Sequence, residues 1–191
     1  MNSFGGNWTE NKIEILVKYA KAYLTIMKDR SYWKLLYFDG FAGSGFIVRD
    51  TGLDNMTIIG AARRIIEIDD PRPFDCYYFV ELDEEKARIL KQHTKDILPK
   101  KKIDIAIEDC NKKILDLAKF LQSTAGNNYR VLAYIDPCGM QLNWTSLTAF
   151  ANLNVDIWIL IPTGLGVNRL LTKSGNISEA WLKRLENFLG L

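Results

Sequence analysis

Residues that build metal centres and disulfide frameworks are scarce in this sequence, which has three cysteines and one histidine among its 191 residues. The cysteines, Cys76, Cys110 and Cys138, lie far apart, and no two are spaced like the ligand pairs of zinc motifs. An odd number of scattered cysteines also argues against a framework of disulfides. We therefore expect neither a metal site nor disulfide cross-links.

Long apolar segments and an excess of one charge are missing as well. The longest apolar run, residues 155–162, contains Asp156 and is far shorter than the about 20 residues that cross a bilayer. The chain has 25 Lys and Arg residues and 23 Asp and Glu residues, which gives a net charge of +2. A charge this close to zero does not indicate a broad surface for binding nucleic acid. The N-terminus lacks the basic and apolar segments of a signal peptide. We expect a cytoplasmic protein that does not bind a membrane.

Apolar residues are nevertheless abundant, at 48% of the chain with 12% aromatic. This content can fill a core, which excludes a disordered chain, and the length fits a single domain over residues 1–191. Apolar residues at helical spacing predict an N-terminal helix over about residues 12–29, with Thr9 or Asn11 as its cap. A long amphipathic helix therefore precedes the first predicted strand.

Strand and helix patterns then alternate along the chain. Strands are predicted at residues 34–39, 76–82, 102–108, 130–136 and 155–162, helices at residues 58–69, 83–98, 112–122, 144–152, 168–172 and 178–189, and a polar loop at residues 46–57. This alternation predicts an α/β fold of the Rossmann-like type, with a mostly parallel sheet and helices on both faces. In such sheets a ligand binds at the carboxyl ends of the strands.

Four of the predicted strands end in residues that can bind a ligand, namely Asp39-Gly40, Glu81, Asp109 and Asp136. Glu81 can accept both hydroxyls of a ribose, and the neighbouring Asp83 is the better helix cap. Asp109 can accept from an adenine amino group with Cys110 beside the base, although capping of the following helix explains Asp109 equally well. Together these acids predict a nucleoside pocket at one edge of the sheet.

The turn from Asp39 to Gly45 is rich in glycine. Small residues let a ligand approach the backbone closely, although a tight connection between a strand and a helix would need the same residues. The spacing is neither GxGxxG nor GxxxxGK[ST], so the turn does not predict a pyrophosphate ligand. Whether the turn binds a ligand therefore depends on the acidic residues at the other strand ends.

These motifs resemble those of class I S-adenosylmethionine methyltransferases, and more narrowly those of the three-Cys-motif partner proteins. The resemblance is carried by Trp8, Lys12, residues 37–45 (YFDGFAGSG), residues 79–83 (FVELD), residues 136–139 (DPCG) and Arg169. It implies S-adenosylmethionine as the cofactor and a three-Cys-motif protein as a partner. Asp39 and Gly43 would lie near the methionine moiety, Glu81 on the ribose and Asp109 near the adenine. The cofactor-binding set would be Asp39, Gly40, Phe41, Ala42, Gly43, Gly45, Glu81, Leu82, Asp109 and Cys110.

Residues 136–139 stand where amino-methyltransferases carry [DNS]-P-P-[FYW], and they form the predicted catalytic segment. Asp136 and Pro137 would hold an acceptor amine, which favours an amino group on nucleic acid. Gly139 takes the place of the aromatic ring that stacks on a flipped base. Trp144 is one substitute for that ring, although a core position explains Trp144 better.

Cys138 admits a second interpretation, because a Pro-Cys pair also resembles the cytosine C5-methyltransferases. Cys138 would then attack the base as a nucleophile. The nearby Asp136 would raise the pKa of the Cys138 thiol and weaken that role, so a passive place in the pocket is favoured. Arg169 is a candidate for holding a substrate phosphate or carboxylate, and a surface salt bridge explains it equally well.

Two functions from different classes follow from these residues. The leading one is an S-adenosylmethionine-dependent methyltransferase. The alternative is a cofactor-binding module without transfer activity that works with another protein. Gly139 in place of the ring favours the alternative, as does the expectation that the sheet lacks the last two strands of a full class I fold.

Overall fold

A parallel sheet covered by helices organises the chain in a computed structural model that describes residues 7–50, 55–95, 101–137, 139–161 and 177–191. The strands are β1 (Lys34–Asp39), β2 (Phe46–Asp50), β3 (Asn55–Ile59), β4 (Cys76–Glu81), β5 (Ile103–Ile107), β6 (Tyr129–Ile135) and β7 (Val155–Ile159). The helices are α1 (Asn7–Met27), α2 (Ala61–Ile66), α3 (Glu84–His93), α4 (Cys110–Gln122), α5 (Trp144–Thr148) and α6 (Glu179–Leu189).

The main sheet has five strands in the order β5-β4-β1-β6-β7, and all four neighbouring pairs are parallel. After β1 the chain adds β4 and β5 on one side and then returns to add β6 and β7 on the other. The strand order therefore reverses between β1 and β6, which is the point where open α/β sheets bind ligands. The predicted Rossmann-like parallel sheet is confirmed at this level.

The central strand β1 is buried on both faces, as a strand between two helical layers must be. Leu35 and Tyr37 pack into a core with side chains of α1, α2 and α3. Leu36 and Phe38 point the other way and pack with side chains of α4. Because successive side chains of a strand face opposite sides, one short segment connects both cores.

The start of α1 differs from the prediction. The helix begins at Asn7, so Thr9 and Asn11 lie inside it and cap nothing. The predicted apolar stripe is confirmed, because Leu16, Ala20 and Leu24 are fully buried against the sheet. The buried stripe holds α1 against the sheet along much of its length. The N-terminal part of α1 thereby lies beside the carboxyl ends of the strands.

The prediction of a polar loop at residues 46–57 is wrong, because β2 and β3 form an antiparallel hairpin there. The predicted helix over residues 58–69 is also wrong at its start, since β3 extends to Ile59 and α2 begins only at Ala61. Sequences rich in β-branched residues favour pairing of extended strands over a helix. The Gly60 amide donates to the Gly45 carbonyl oxygen at 2.8 Å and closes the base of the hairpin.

Three other helices differ from their predicted lengths. Helix α5 ends at Thr148 rather than at residue 152, because the chain continues in short turns to Asn152, which has a left-handed φ of 63°. Helix α3 ends at His93, earlier than predicted, and α4 begins at Cys110, two residues before the predicted start. The predicted helix at residues 168–172 lies outside the described residues, and the helix predicted at residues 178–189 is confirmed as α6.

No helix in the described part of the chain is long and apolar enough to cross a membrane.

Candidate functional site

A cleft of about 140 Å³ opens at the carboxyl ends of β1 and β6, where the strand order reverses. Four parts of the chain meet there: the N-terminal part of α1, the glycine turn after β1, the start of α2, and the end of β6. The lining residues are Thr9, Lys12, Ile13, Asp39, Phe41, Ala42, Gly43, Ser44, Gly45, Gly60, Ala61, Tyr134 and Asp136. The structure thus brings together the predicted residues of the turn and the predicted acceptor-binding Asp136.

A larger cleft of about 390 Å³ lies elsewhere, between α1 and α2. Its lining carries both charges: the basic residues are Lys21 and Arg64, and the acidic residues are Glu67, Asp69 and Asp70. None of its lining residues comes from a strand end. The smaller cleft is therefore the candidate site, because position at the strand-order reversal is more informative than volume.

The glycines of the turn serve two different purposes. Gly43 and Gly45 have left-handed φ values of 63° and 75°, which favour glycine, and a Cβ on Gly43 would meet no atom within 4 Å. A Cβ on Gly40 would instead lie 2.5 Å from the Cys110 Sγ. Gly40 is thus required for packing beneath the turn, whereas Gly43 leaves the turn open above it.

Glu81, at the end of β4, holds the turn in place. Its Oε2 accepts from the Gly43 amide at 2.8 Å, and its Oε1 accepts from the Asp83 amide at 3.0 Å. Each carboxylate oxygen can accept a second hydrogen bond, so these two bonds leave Glu81 able to accept from a ligand. Its proposed contact with a ribose remains a prediction.

Asp39, at the end of β1, is 1% exposed, and its Oδ1 accepts from the Phe41 amide at 3.1 Å. Burial, and to a smaller extent the nearby carboxylates of Asp136 and Glu81, raise the pKa of Asp39 to about 7. The Phe41 hydrogen bond and the Lys12 ammonium oppose that rise. Asp39 therefore changes charge near neutral pH at the floor of the cleft.

Asp136, just after β6, has two partners on the same oxygen. The Lys12 ammonium forms an ion pair with Oδ2, and the Tyr134 hydroxyl donates to Oδ2 at 3.1 Å. Burial, followed by the charges of Asp136 and Asp39, raises the pKa of Tyr134, which therefore stays a hydrogen-bond donor. These two contacts fix the orientation of the carboxylate and leave Oδ1 without a hydrogen bond from the described residues.

The capping explanation for Asp109 is confirmed. Its Oδ1 accepts from the Asn111 and Lys112 amides at 2.9 and 3.2 Å, so Asp109 is the N-cap of α4. Its Oδ2 is not used in the cap, and the side chain is exposed. Cys110 is buried under Gly40, and burial raises the pKa of its thiol, which makes Cys110 a packing residue that does not line the cleft.

An exposed apolar side chain lies beside Glu81. Ile107, which is the register partner of Glu81 on the adjacent strand, is 53% exposed, and Leu82, the next residue along the chain from Glu81, is 67% exposed. Successive side chains of a strand face opposite sides, so Ile107 is the one that shares the face of Glu81 and offers an apolar contact there. Ile107 was missed in the sequence, where it reads as one more apolar residue of a strand.

Phe41 and the buried Tyr134 are the aromatic residues that line the cleft among the described residues, and neither comes from the predicted catalytic segment. Pro137 is buried, and a Cβ on Gly139 would meet no atom within 4 Å. Trp144 is 47% exposed and packs on Gly190, so the prediction that it belongs to the core is wrong. Cys138, Arg169 and the side chain of Trp8 lie outside what the structure describes.

Sequence reasoning assigned no role to Lys12 and did not single out Tyr134. Tyr134 stands two residues before Asp136, and side chains two positions apart on a strand share a face, so its place beside Asp136 had a local signal. Lys12 and Asp136 are 124 positions apart, and their contact depends on how α1 packs across the sheet.

The described residues contain no group of three or more His, Cys, Asp or Glu side chains placed to hold a metal ion. No family model and no curated protein matches the sequence. A Streptococcus pyogenes chain called a conserved hypothetical protein is similar to it at 18% identity and a TM-score of 0.41, over 75% of this chain and 81% of that chain. A likeness at this level assigns no function.

Proposed function

We propose that this chain binds S-adenosylmethionine at the strand-order reversal and transfers its methyl group to an amino group, with nucleic acid as the favoured acceptor class. One observation carries the proposal. The glycine turn after β1 and the oriented carboxylate of Asp136 after β6 are two walls of the same cleft. A site of this kind can hold a cofactor on one wall and an acceptor on the other.

The residues around the turn fit the cofactor. Gly43 is open on the side where a Cβ would project, and Glu81 has acceptor capacity for ribose hydroxyls. Ile107, beside Glu81, offers an apolar contact suited to a base, and Asp109, two residues further along the chain, has an Oδ2 that its helix cap does not use. When bound, S-adenosylmethionine supplies an electrophilic methyl group.

Asp136 supplies the positioning that methyl transfer to an amine needs. Lys12 and Tyr134 hold its Oδ2, so the free Oδ1 can accept an N–H of the acceptor in one orientation. Fixing the direction of a reacting amine removes much of the entropic cost of bringing two reactants together. The resemblance of residues 136–139 to amino-methyltransferases supports an amine as the acceptor.

A second function is favoured by the surroundings of Gly139. Because no aromatic ring of the described residues lines the cleft except Phe41 and Tyr134, and Tyr134 is buried, a flipped base has little to stack on. The chain would then bind the cofactor without transferring its methyl group, in association with a three-Cys-motif protein. That partner could supply the missing contacts to an acceptor.

A methyl-transfer assay separates the two functions. Purified protein is incubated with methyl-labelled S-adenosylmethionine and DNA or RNA, with and without the candidate partner. The methyltransferase proposal predicts label in the nucleic acid and a loss of about 100-fold in rate for Asp136→Ala. Asp104→Ala, an exposed change on β5, serves as the matched control.

Combined with a calorimetric titration of S-adenosylhomocysteine, this assay has three outcomes with different meanings. Transfer that survives in Asp104→Ala and is lost in Asp136→Ala supports the enzyme. Cofactor binding without transfer under every condition supports the binding module. Absence of cofactor binding in the wild-type protein rejects both functions.

A further inference from the structure

Asp136, the carboxylate proposed to hold the methyl acceptor, is already paired with a cation. The Lys12 ammonium, carried by α1, pairs with the Asp136 Oδ2, and both side chains are 24% exposed. Lys12 is the sole cationic residue among the described residues that line the cleft. An acceptor that enters the cleft therefore approaches a carboxylate whose negative charge is balanced.

The other two carboxylates nearby are less accessible to a group that enters the cleft. Asp39 is 1% exposed, and its Oδ1 accepts from the Phe41 amide. Glu81 lies behind the glycine turn, where it accepts from the Gly43 amide, and is not among the residues that line the cleft. Asp136 is thus the carboxylate that an incoming group meets first, and it meets Lys12 at the same time.

A cationic and a neutral amine face different conditions at Asp136. An alkylammonium group must displace the Lys12 ammonium or lie beside it, and two like charges at contact distance repel strongly in a partly buried cleft. A neutral amino group needs only the free Oδ1 as an acceptor and leaves the ion pair intact. The geometry of the ion pair therefore discriminates between acceptors by charge.

We propose that Lys12 is a specificity-determining residue that reserves Asp136 for neutral amino groups, such as the exocyclic amine of a base or a carboxamide, and excludes alkylammonium groups such as a lysine side chain. The inference deepens the proposed function and rests on it for its biological meaning. A purely structural role is the competing explanation, in which Lys12 only ties α1 to the sheet.

The test uses four forms of the full chain: wild type, Lys12→Gln, Lys12→Arg and the double variant Lys12→Gln/Asp136→Asn. Each is titrated with n-butylammonium chloride and with butyramide at constant ionic strength. Binding is followed by NMR through the backbone amides of Phe41 and Gly43, which line the cleft. Lys12→Arg keeps the charge and is the matched control for Lys12→Gln.

The proposal predicts that Lys12→Gln binds n-butylammonium at least about tenfold more tightly than the wild type does, because the repelling charge is gone. Lys12→Arg should show no gain, and the added Asp136→Asn change should remove it. Butyramide affinity should change little between wild type and Lys12→Gln. Equal n-butylammonium affinity in wild type and Lys12→Gln, or a gain in Lys12→Arg, overturns the proposal.

Folding of each variant is checked by circular dichroism, and Lys12→Met provides a second neutral side chain of similar length. If neither neutral variant folds, Lys12 has the structural role and the proposal is overturned. The same samples are titrated with S-adenosylhomocysteine. A cation gain without S-adenosylhomocysteine binding in the wild type rejects the proposed function alone, and binding without a cation gain rejects the role of Lys12 alone.

Discussion

At the scale of single residues, Asp39 is the carboxyl group whose pKa the fold moves into the neutral range. Its carboxyl is buried at the end of β1, and its pKa rises from the ordinary 3.8 to about 7. The folded protein therefore keeps this proton over a pH range in which the unfolded chain has lost it. Because the folded state binds more protons there, this group lowers the free energy of unfolding as the pH rises from about 4 to about 7.

Asp39→Asn should remove that dependence, since the amide cannot ionise but can still accept from the Phe41 amide. Relative to the wild type, the variant should gain stability as the pH rises, by at most about 1.4 kcal/mol per pH unit. Urea unfolding at several pH values between about 4.5 and 7.5 measures the difference. Asp104→Asn, an exposed change, is the control, and a parallel pH dependence in wild type and Asp39→Asn would count against a protonated Asp39.

Gly40 offers a second residue-scale prediction. Its Cβ would lie 2.5 Å from the Cys110 Sγ, so Gly40→Ala should cost about 1–3 kcal/mol of stability through overpacking. In a Cys110→Ala background the same change should cost much less, because the sulfur is gone and the Cys110 Cβ is 3.9 Å away. Gly139→Ala, which meets no atom within 4 Å, is the control. Equal costs of Gly40→Ala in both backgrounds, measured by chemical denaturation, would show that this contact is not the cause.

At the scale of elements, the caps of α3 and α4 show how one residue type serves two purposes. Asp83 and Asp109 each accept from two backbone amides at the start of a helix. Such caps contribute about 1 kcal/mol each. Only Asp109 is also predicted to contact the cofactor, so the two caps form a natural comparison.

Substitution by serine separates capping from ligand binding, because serine caps a helix well but is too short to reach a base. Asp83→Ala and Asp109→Ala should each lose about 1 kcal/mol of stability, and the serine variants should lose less. Asp109→Ser should weaken S-adenosylhomocysteine binding about tenfold, whereas Asp83→Ser should not change it. Calorimetric titration of both serine variants is the measurement, and equal affinities would leave Asp109 as a cap only.

The elements that sequence predicted well are those whose signals are local. The five parallel strands are apolar segments bounded by polar or glycine residues, and the buried stripe of α1 repeats at helical spacing. The hairpin β2–β3 was missed because Arg49, Asp50 and Asn55 interrupt its alternation, and Ile58 continues smoothly into the helical pattern of α2. Pairing between the two strands, which no single segment encodes, decides this part of the chain.

At the scale of the whole molecule, the site exists because the strand order reverses between β1 and β6. The turn after β1, Glu81 and Asp136 were all identifiable in the sequence, since acids at strand ends converge on one edge of a parallel sheet. The pairing of Lys12 with Asp136 was not, because it spans 124 positions and requires α1 to cross the sheet. Ile107 likewise lies beside Glu81 only because β4 and β5 are neighbours in the sheet.

The central claim is that this edge of the sheet binds S-adenosylmethionine through Glu81. Isothermal titration with S-adenosylhomocysteine tests it most directly, using wild type, Glu81→Ala and, as a control, Glu85→Ala on the exposed surface of α3. We expect one-to-one binding by the wild type and by Glu85→Ala, and about 100-fold weaker binding by Glu81→Ala, which loses hydrogen bonds to a charged acceptor. No binding by the wild type, or undiminished binding by Glu81→Ala, would contradict the assignment.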